Sequence, residues 1–354
     1  MKGILMAFDP LQEDFLHIVL QSSSAKTSKG TPDQLGIADL FEQYQKDPEP
    51  LITNDANRAR HLVARATMQL DYEAPFYTEE NLAQEAIASA TKLLEQAHEL
   101  DKDNLDAQRM LHALASTTVS EHLDYLLEHE ERVQEQFDQA AMQANESSTV
   151  FEHDLAILHS RPALRWFASI AQKAFVAGRY QLSLDYCNKA LTLDPSDVAD
   201  VKYTALYAMV KLEYSLKDLL AFARQYLDLD APRCNAWLTI ACIATSYKSL
   251  NLDVARTFLE KLFDAYPTAA RVLRLQGELP NGIWHRVNVH PFSEDELIQA
   301  LSEAMPLLQE GLGAPLSAPF ALWLAMNPLV EAHLDESDLQ EIEEIANRIQ
   351  EGGN

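Results

Sequence analysis

The sequence predicts an all-α protein assembled from antiparallel helical hairpins. Three observations point that way. Only 10 of 354 residues are Gly and long β-branched runs are few, whereas the helix-favouring Ala, Leu, Glu and Gln are abundant. Apolar residues recur at three- and four-residue spacings through most of the chain, which gathers them on single helical faces. The stretch Arg161 to Asp197, RPALRWFASIAQKAFVAGRYQLSLDYCNKALTLDPSD, reads as two such faces joined by one tight turn.

In that stretch Leu164, Phe167, Ile170, Ala171, Ala174 and Phe175 share one helical face. Gly178 then stops the helix, because Gly reaches left-handed backbone angles cheaply. Tyr180 begins a second run carrying Leu182, Tyr186, Ala190, Leu191 and Leu193. Asp194-Pro195 ends it, since proline supplies no amide hydrogen and clashes with the preceding turn. Ser183 and Ala190 are small where close helix contact needs small side chains. A hairpin with these features resembles the tetratricopeptide repeat, which is about 34 residues long. The resemblance rests on Gly178, Tyr180, Tyr186, Ala190, Leu191, Leu193, Asp194 and Pro195. It departs from the family at Phe167, Ala171 and Ser183, where Trp, Gly and Ala are usual, all changes that conserve the hairpin.

The remaining elements follow in order. Residues 10–21 form a short amphipathic helix with Leu11, Phe15, Ile18 and Val19 on one side. The polar linker SSSAKTSKGTPDQ sets this piece apart from a helix at about 35–46, which ends before Pro48. From Thr53 a helix runs to about Leu70, and after a loop through Pro75 a second runs from Thr78 to about Leu100. This pair reads as a degenerate repeat, with Ala97, Leu100 and Asp101 in place and Lys102 where Pro195 stands in the stronger hairpin. Asn104 caps the next helix, and Thr118 with Glu121 makes a capping box that starts one long charged helix over 119–144. Beyond the strong hairpin come two more, at about 197–230 and 233–266. Prolines 195, 232 and 267 close successive second helices at spacings of 37 and 35 residues, near one repeat length. Leu212 stands in the second hairpin where Gly178 stands in the first, which leaves that turn unexplained. A short helix at 268–276 gives way to a long loop, Gly277 to Ser293. Ser293 and Glu296 cap a helix to about 309, another covers 318–326, and the last starts at Ser337 with Gln340 as its capping partner. Leu339, Ile342, Ile345 and Ile349 are expected to face inward from that acidic end helix, which suits the cap of a solenoid.

This order predicts four regions. Residues 1–50 hold N-terminal helices and linker, 51–160 degenerate repeats with the long charged helix, 161–267 three repeats, and 268–354 the C-terminal helices and loop. The order of features from about 55 to 310 also resembles bacterial tetratricopeptide proteins related to the suppressor of tumorigenicity seven family. That likeness rests on HELDKDNLDAQ, on Arg161-Pro162 with Leu164-Arg165, on Asp194-Pro195-Ser196-Asp197 before Val201-Lys202-Tyr203, and on Leu279-Pro280 with Asp295-Glu296. The resemblance implies a right-handed α-α superhelix and an interaction role. The membrane spans of animal members are lacking here.

Composition narrows the function classes. With 54 acidic and 28 basic residues the net charge is −26, which repels phosphate backbones and anionic membranes, so neither nucleic acid nor a membrane is an expected partner. Cys187, Cys234 and Cys242 form no CxxC pair and read as buried helical residues of a reducing compartment. Acids at 9, 13 and 14 interrupt the N-terminal apolar run where a signal peptide needs its hydrophobic region, so a cytoplasmic location is expected.

Chemistry-bearing motifs are scarce. P-loops, nucleophile elbows and dinucleotide fingerprints need glycines at fixed offsets that the chain lacks. His129-Glu130-Glu131-Arg132-Val133 begins like HExxH but has Val where the second zinc ligand must stand. His122 and His129, on one expected helix, are about 10.5 Å apart, too far to share a metal without a partner helix. His153, His159, His285 and His290 have no carboxylate or nucleophile fixed beside them. The expectation is therefore no enzyme, no cofactor and no metal site. Its rival is an enzyme or metal-dependent sensor using histidines and carboxylates around 121–159 or the Trp284-His285-Arg286 loop.

In tetratricopeptide arrays the first helix of each hairpin lines the concave face. The resemblance therefore implies a binding surface of Arg165, Ala168, Gln172, Phe175, Lys202, Met209, Arg233, Leu238 and Trp284, with Cys242 nearby. Arg165, Lys202 and Arg233 would form a basic track for a peptide carboxylate or acidic side chains. Its alternative is that each cation pairs with a neighbouring acid. The chaperone-tail clamp of some members needs paired Lys and Asn where this chain has Ala168 and Gln172, so that ligand is not expected. The expected partner is a protein or peptide segment, and an exposed apolar end also allows a homodimer.

Overall fold

The computed structural model describes residues 9–26, 34–77, 79–229, 231, 233–275, 289–309 and 318–352. Every regular element among them is helical, so the chain is all-α. It divides into two units, Met1–Lys173 with Lys189–Ala199, and Ala174–Asn188 with Asp200–Asn354.

The N-terminal unit begins with α1 (Pro10–Lys26) and α2 (Gln34–Lys46). α1 runs five residues past its expected end, into the serines read as linker. Phe15, Ile18 and Val19 of α1 are buried with Tyr44 of α2, and Leu40 and Leu51 pack on them. Next come α3 (Asp55–Thr67) and α4 (Glu80–Leu100), packed on each other. Their contact is made by small residues, Ala59 and Ala66 against Ala90 and Ala97, together with Val63 and Leu94. Small side chains let the helix axes approach closely, and Ala107 and Met110 of α5 (Leu105–Ala115) complete this core. Asn104 caps α5 as expected, its side chain accepting from the Ala107 amide at 3.0 Å.

The single helix expected over 119–144 is two, α6 (Val119–Glu128) and α7 (Glu130–Glu146). The break falls at His129, whose backbone leaves the helical region at φ −99°, ψ 4°. Its ring Nδ1 donates to the Tyr125 carbonyl at 3.0 Å, competing with its own amide for the same acceptor. α8 (Val150–Val176) starts eleven residues before Arg161 and carries Pro162 inside it. Its early start has a local cause. Thr149 Oγ1 accepts from the Glu152 amide, and the Glu152 carboxylate accepts from the Ser148 and Thr149 amides, a capping box that sequence reading passed over.

The C-terminal unit starts inside the strong hairpin. Gly178 sits at φ +76° between α8 and α9 (Tyr180–Leu193). The Gly178 amide donates to Phe175 O and the Arg179 amide to Ala174 O, which satisfies carbonyls orphaned at the helix end. α10 (Val201–Lys211) and α11 (Leu216–Tyr226) form the second hairpin, and α12 (Ala236–Lys248) and α13 (Leu252–Ala265) the third. Their turns use the same two hydrogen bonds, from Glu213 to Val210 and Tyr214 to Met209, and from Leu250 to Tyr247 and Asn251 to Ser246. The left-handed residue of the second turn is thus Glu213 (φ +61°), one place after Leu212, and that of the third is Leu250 (φ +59°).

α14 (Ala269–Arg274), α15 (Glu294–Glu303), α16 (Met305–Leu308), α17 (Pro319–Ala325), α18 (Pro328–His333) and α19 (Glu336–Gly352) complete the unit. α15 packs on α12 and α14, and Leu297, Ala300 and Leu301 are fully buried there. α18 was not expected from the sequence. α19 is introduced by Asp335 and Asp338, each side chain accepting from the other's amide, rather than by Ser337 and Gln340. Leu339, expected inward, is 48% exposed. Cys187 and Cys242 are buried, but Cys234 lies half-buried in the segment before α12. Pro232, most of the 277–293 loop and Trp284 with it lie outside the described residues. No helix among the described residues is long and apolar enough to cross a membrane.

Candidate functional site

A dense assembly of functional side chains in the N-terminal unit lies where α1 meets α3 and α8, with Asp106 of α5 beside it. Its centre is Arg165. The Arg165 guanidinium binds Asp106 of α5 from two nitrogens, with Nε at 3.1 Å from both carboxylate oxygens and Nη2 at 2.5 Å from Oδ2. Its Nη1 donates to Glu13 of α1 at 2.9 Å, and Arg161, one turn earlier on α8, donates to the other Glu13 oxygen at 2.7 Å. Arg109 donates to Asp106 at 3.0 Å from the far side. Each carboxylate is therefore held between two arginines.

Burial alone would raise the Asp106 carboxyl, but Arg165 and Arg109 outweigh it and hold the group well below the usual carboxylate range. Burial likewise opposes the Arg165 charge, and Asp106 with Glu13 more than restores it. Asp106 and Arg165 thus form a buried ion pair at the centre of this network. Breaking such a network by removing one partner costs about 3–5 kcal/mol, because the remaining charge is left buried.

A second group of contacts runs along the same face of α1. Asp14, 2% exposed, accepts from the Tyr44 hydroxyl at 2.7 Å, and His61 Nδ1 lies 2.7 Å from the same oxygen. An acceptor-only carboxylate requires the His61 proton on Nδ1. One turn on, Arg60 Nη1 lies 3.0 Å from His17 Nδ1, and His17 Nε2 lies 2.9 Å from His159 Nε2. Guanidinium only donates, so His17 Nδ1 accepts and its proton sits on Nε2, where it is given to His159. Burial, then Arg60 and His159, hold His17 neutral, with its pKa lowered to about 2. Burial and Arg60 lower His159 to about 4. Gln21, two turns from Asp14's neighbour Glu13, accepts from Asn57 Nδ2 at 2.5 Å.

A third cluster joins α5, α6 and α8. His112 stacks on Tyr125 at 3.7 Å, Tyr125 lies 4.3 Å from His129, and the buried Trp166 donates to the Leu126 carbonyl at 3.0 Å. His122 Nδ1 is 3.1 Å from His112 Nδ1. Burial, followed by Lys173, Arg109 and His112, pushes His122 down to about 3, so His122 is neutral at pH 7, and burial lowers His112 as well. Among the described residues no group of three or more His, Cys, Asp or Glu is arranged to hold a metal ion. The Asp14–His61 pair has the first two members of a hydrolytic triad, but the hydroxyl on Asp14 is Tyr44, which donates to the carboxylate and not to the imidazole.

The residues expected to line a binding face fall into both units. In the N-terminal unit, Arg165 is engaged as above, Ala168 is 6% exposed and Gln172 half-buried. In the C-terminal unit, Lys202 pairs with Asp200 and lies 4.6 Å over the Tyr203 ring. Arg233 lies 5.7 Å over the Phe292 ring. Phe175, Met209 and Leu238 are buried, Phe175 beside Tyr180 and Tyr207. The cations Arg165 and Lys202 thus both engage acids of this chain. Of the histidines singled out, His153 contacts the Ala144 carbonyl and His290 is exposed. Sequence reading missed Glu13, Asp14 and His17. Their signal was present: with Gln21 they follow a spacing of one, four and eight, a polar stripe beside the apolar one.

No protein-family profile, curated protein or solved structure matches the chain.

Proposed function

We propose that this chain is a non-catalytic scaffold of tetratricopeptide type that binds a protein segment on the first helices of its hairpins. One observation carries the reading. α1, which belongs to none of the hairpins, is held by side chains of α3 and α8 through Glu13, Asp14 and His17. A surface that engages one helical segment through directed polar contacts has the chemistry to engage another. The repeat assignment is supported by the turns at 178, 213 and 250, which share one hydrogen-bond pattern at spacings of 35 and 37 residues. A cytoplasmic setting is in keeping with three cysteines that form no disulfide with one another.

The test is affinity capture with the full-length chain as bait and excess untagged chain as competitor. A saturable, competed partner is the expected result. A bait that captures none would overturn the reading, and light scattering on the same sample separates partner binding from self-association.

A further inference from the structure

Resting on the scaffold reading, we infer that the surface beneath α1 is a docking site for an acidic amphipathic helix of a partner protein, with α1 as the chain's own stand-in. The first support is where α1 keeps its apolar side. Phe15, Ile18 and Val19 are buried with Tyr44, Leu40 and Leu51, and among the described residues that cluster takes nothing from α3, α5 or α8. α1 thus keeps an apolar face against α2, while it also packs on α3.

The second support is the seam itself. α1 meets the rest of the unit through Glu13, Asp14, His17 and Gln21, one polar helical face. On the other side stand Arg60, Arg161 and Arg165 with His61, His159 and Asn57. This concentration of arginines occurs in a chain of net charge −26, and Arg165 pairs with both Glu13 and Asp106. The third support is geometric. Glu13 bridges Arg161 and Arg165, and two adjacent acids followed one and two turns later by polar groups meet Arg161, Arg165, His61, Arg60 and Asn57 in turn. A helix offers that span, whereas a single free anion reaches only one end of it.

The experiment titrates full-length protein into a fluorescein-labelled peptide of residues 9–26 and reads anisotropy. Wild type is compared with Glu13→Gln, which weakens the seated α1. The expected result is binding about tenfold tighter or more to Glu13→Gln than to wild type, lost when the peptide itself carries Glu13→Gln and Asp14→Asn. Equal affinity for both chains, or indifference to the peptide's acids, overturns the inference. A concentration-dependent dimer that the peptide dissociates assigns the surface to a second copy and also overturns it.

Should Glu13→Gln fail to fold, hydrogen exchange on wild type reads the same displacement. Saturating peptide is expected to strip protection from amides of residues 10–21 and leave α15 unchanged, and unaltered α1 protection overturns the proposal. A chain that captures a saturable partner but ignores the peptide keeps the scaffold reading and loses this one. A chain that binds the peptide yet captures no partner loses the scaffold reading while keeping a measured preference for an acidic helix.

Discussion

α1 in the N-terminal unit and α15 in the C-terminal unit both cover side chains of hairpin first helices, and they do so by opposite means. α1 is fixed by carboxylate, guanidinium and imidazole contacts. α15 is fixed chiefly by burying Leu297, Ala300 and Leu301, with hydrogen bonds that include Tyr207 hydroxyl to Ala300 O at 2.8 Å, Trp237 Nε1 to Glu303 at 2.9 Å and Tyr266 hydroxyl to Glu296 at 2.8 Å, and an ion pair of Glu294 with Arg271 at its start. Apolar burial holds at any pH and is strengthened by excluded salts, whereas a seam of charges answers to protons and counter-ions. The first kind of contact builds a core, and the second builds a contact that can be exchanged.

The comparison can be broken most sharply at Arg165. Arg165→Met leaves Asp106 and Glu13 buried with one arginine each and should destabilise the N-terminal unit by about 3–5 kcal/mol in urea unfolding. A loss below about 1 kcal/mol would mean that the ions merely tolerate one another. Next in size is acid. The folded-state pKa of His17, about 2, lies below its ordinary 6.5, so between those values the unfolded chain binds a proton that the folded chain refuses. Stability should therefore fall as pH drops below 6.5, by up to about 1.4 kcal/mol per pH unit, a slope that His17→Gln flattens. Exchange protection should fall in α1 before α15, because the described histidines of the C-terminal unit, His290 and His333, are exposed. Smaller again is Tyr207→Phe, which removes one hydrogen bond to α15 and should cost about 1 kcal/mol by the same assay, with no dependence on pH. The smallest effect runs the other way. Leu250 is 83% exposed and left-handed, so Leu250→Gly should raise stability by about 0.5–1 kcal/mol in thermal unfolding.

Local signals were the legible part of this sequence. Asn104, Thr118 and Ser293 each accept from the amide three residues on, and Gly178 takes the left-handed turn that its residue type allows. Where reading failed, a tertiary term outweighed a local one. Pro162 usually ends a helix, yet α8 runs through it with Leu158, Ala163, Leu164 and Trp166 buried on both flanks and Arg161 and Arg165 tied to Glu13. Glu213 and Leu250 hold backbone angles that their side chains disfavour, because each turn must satisfy two carbonyls at the helix end. Arg165 was legible as the residue to watch, but not its partners. Glu13 is 152 residues away along the chain, and no local spacing encodes that pairing.

The attachment of α1 to the chain it covers has a consequence in concentrations. A tethered helix competes for its site as though it were present at on the order of millimolar concentration, whatever its intrinsic strength. A free helix of equal strength stays out until its own concentration reaches that level, so a scarce partner must bind more strongly or arrive within an assembly that raises its local abundance. The seam then behaves as a threshold rather than a graded receptor, closed to passing acidic peptides and open to a partner held in place beside it.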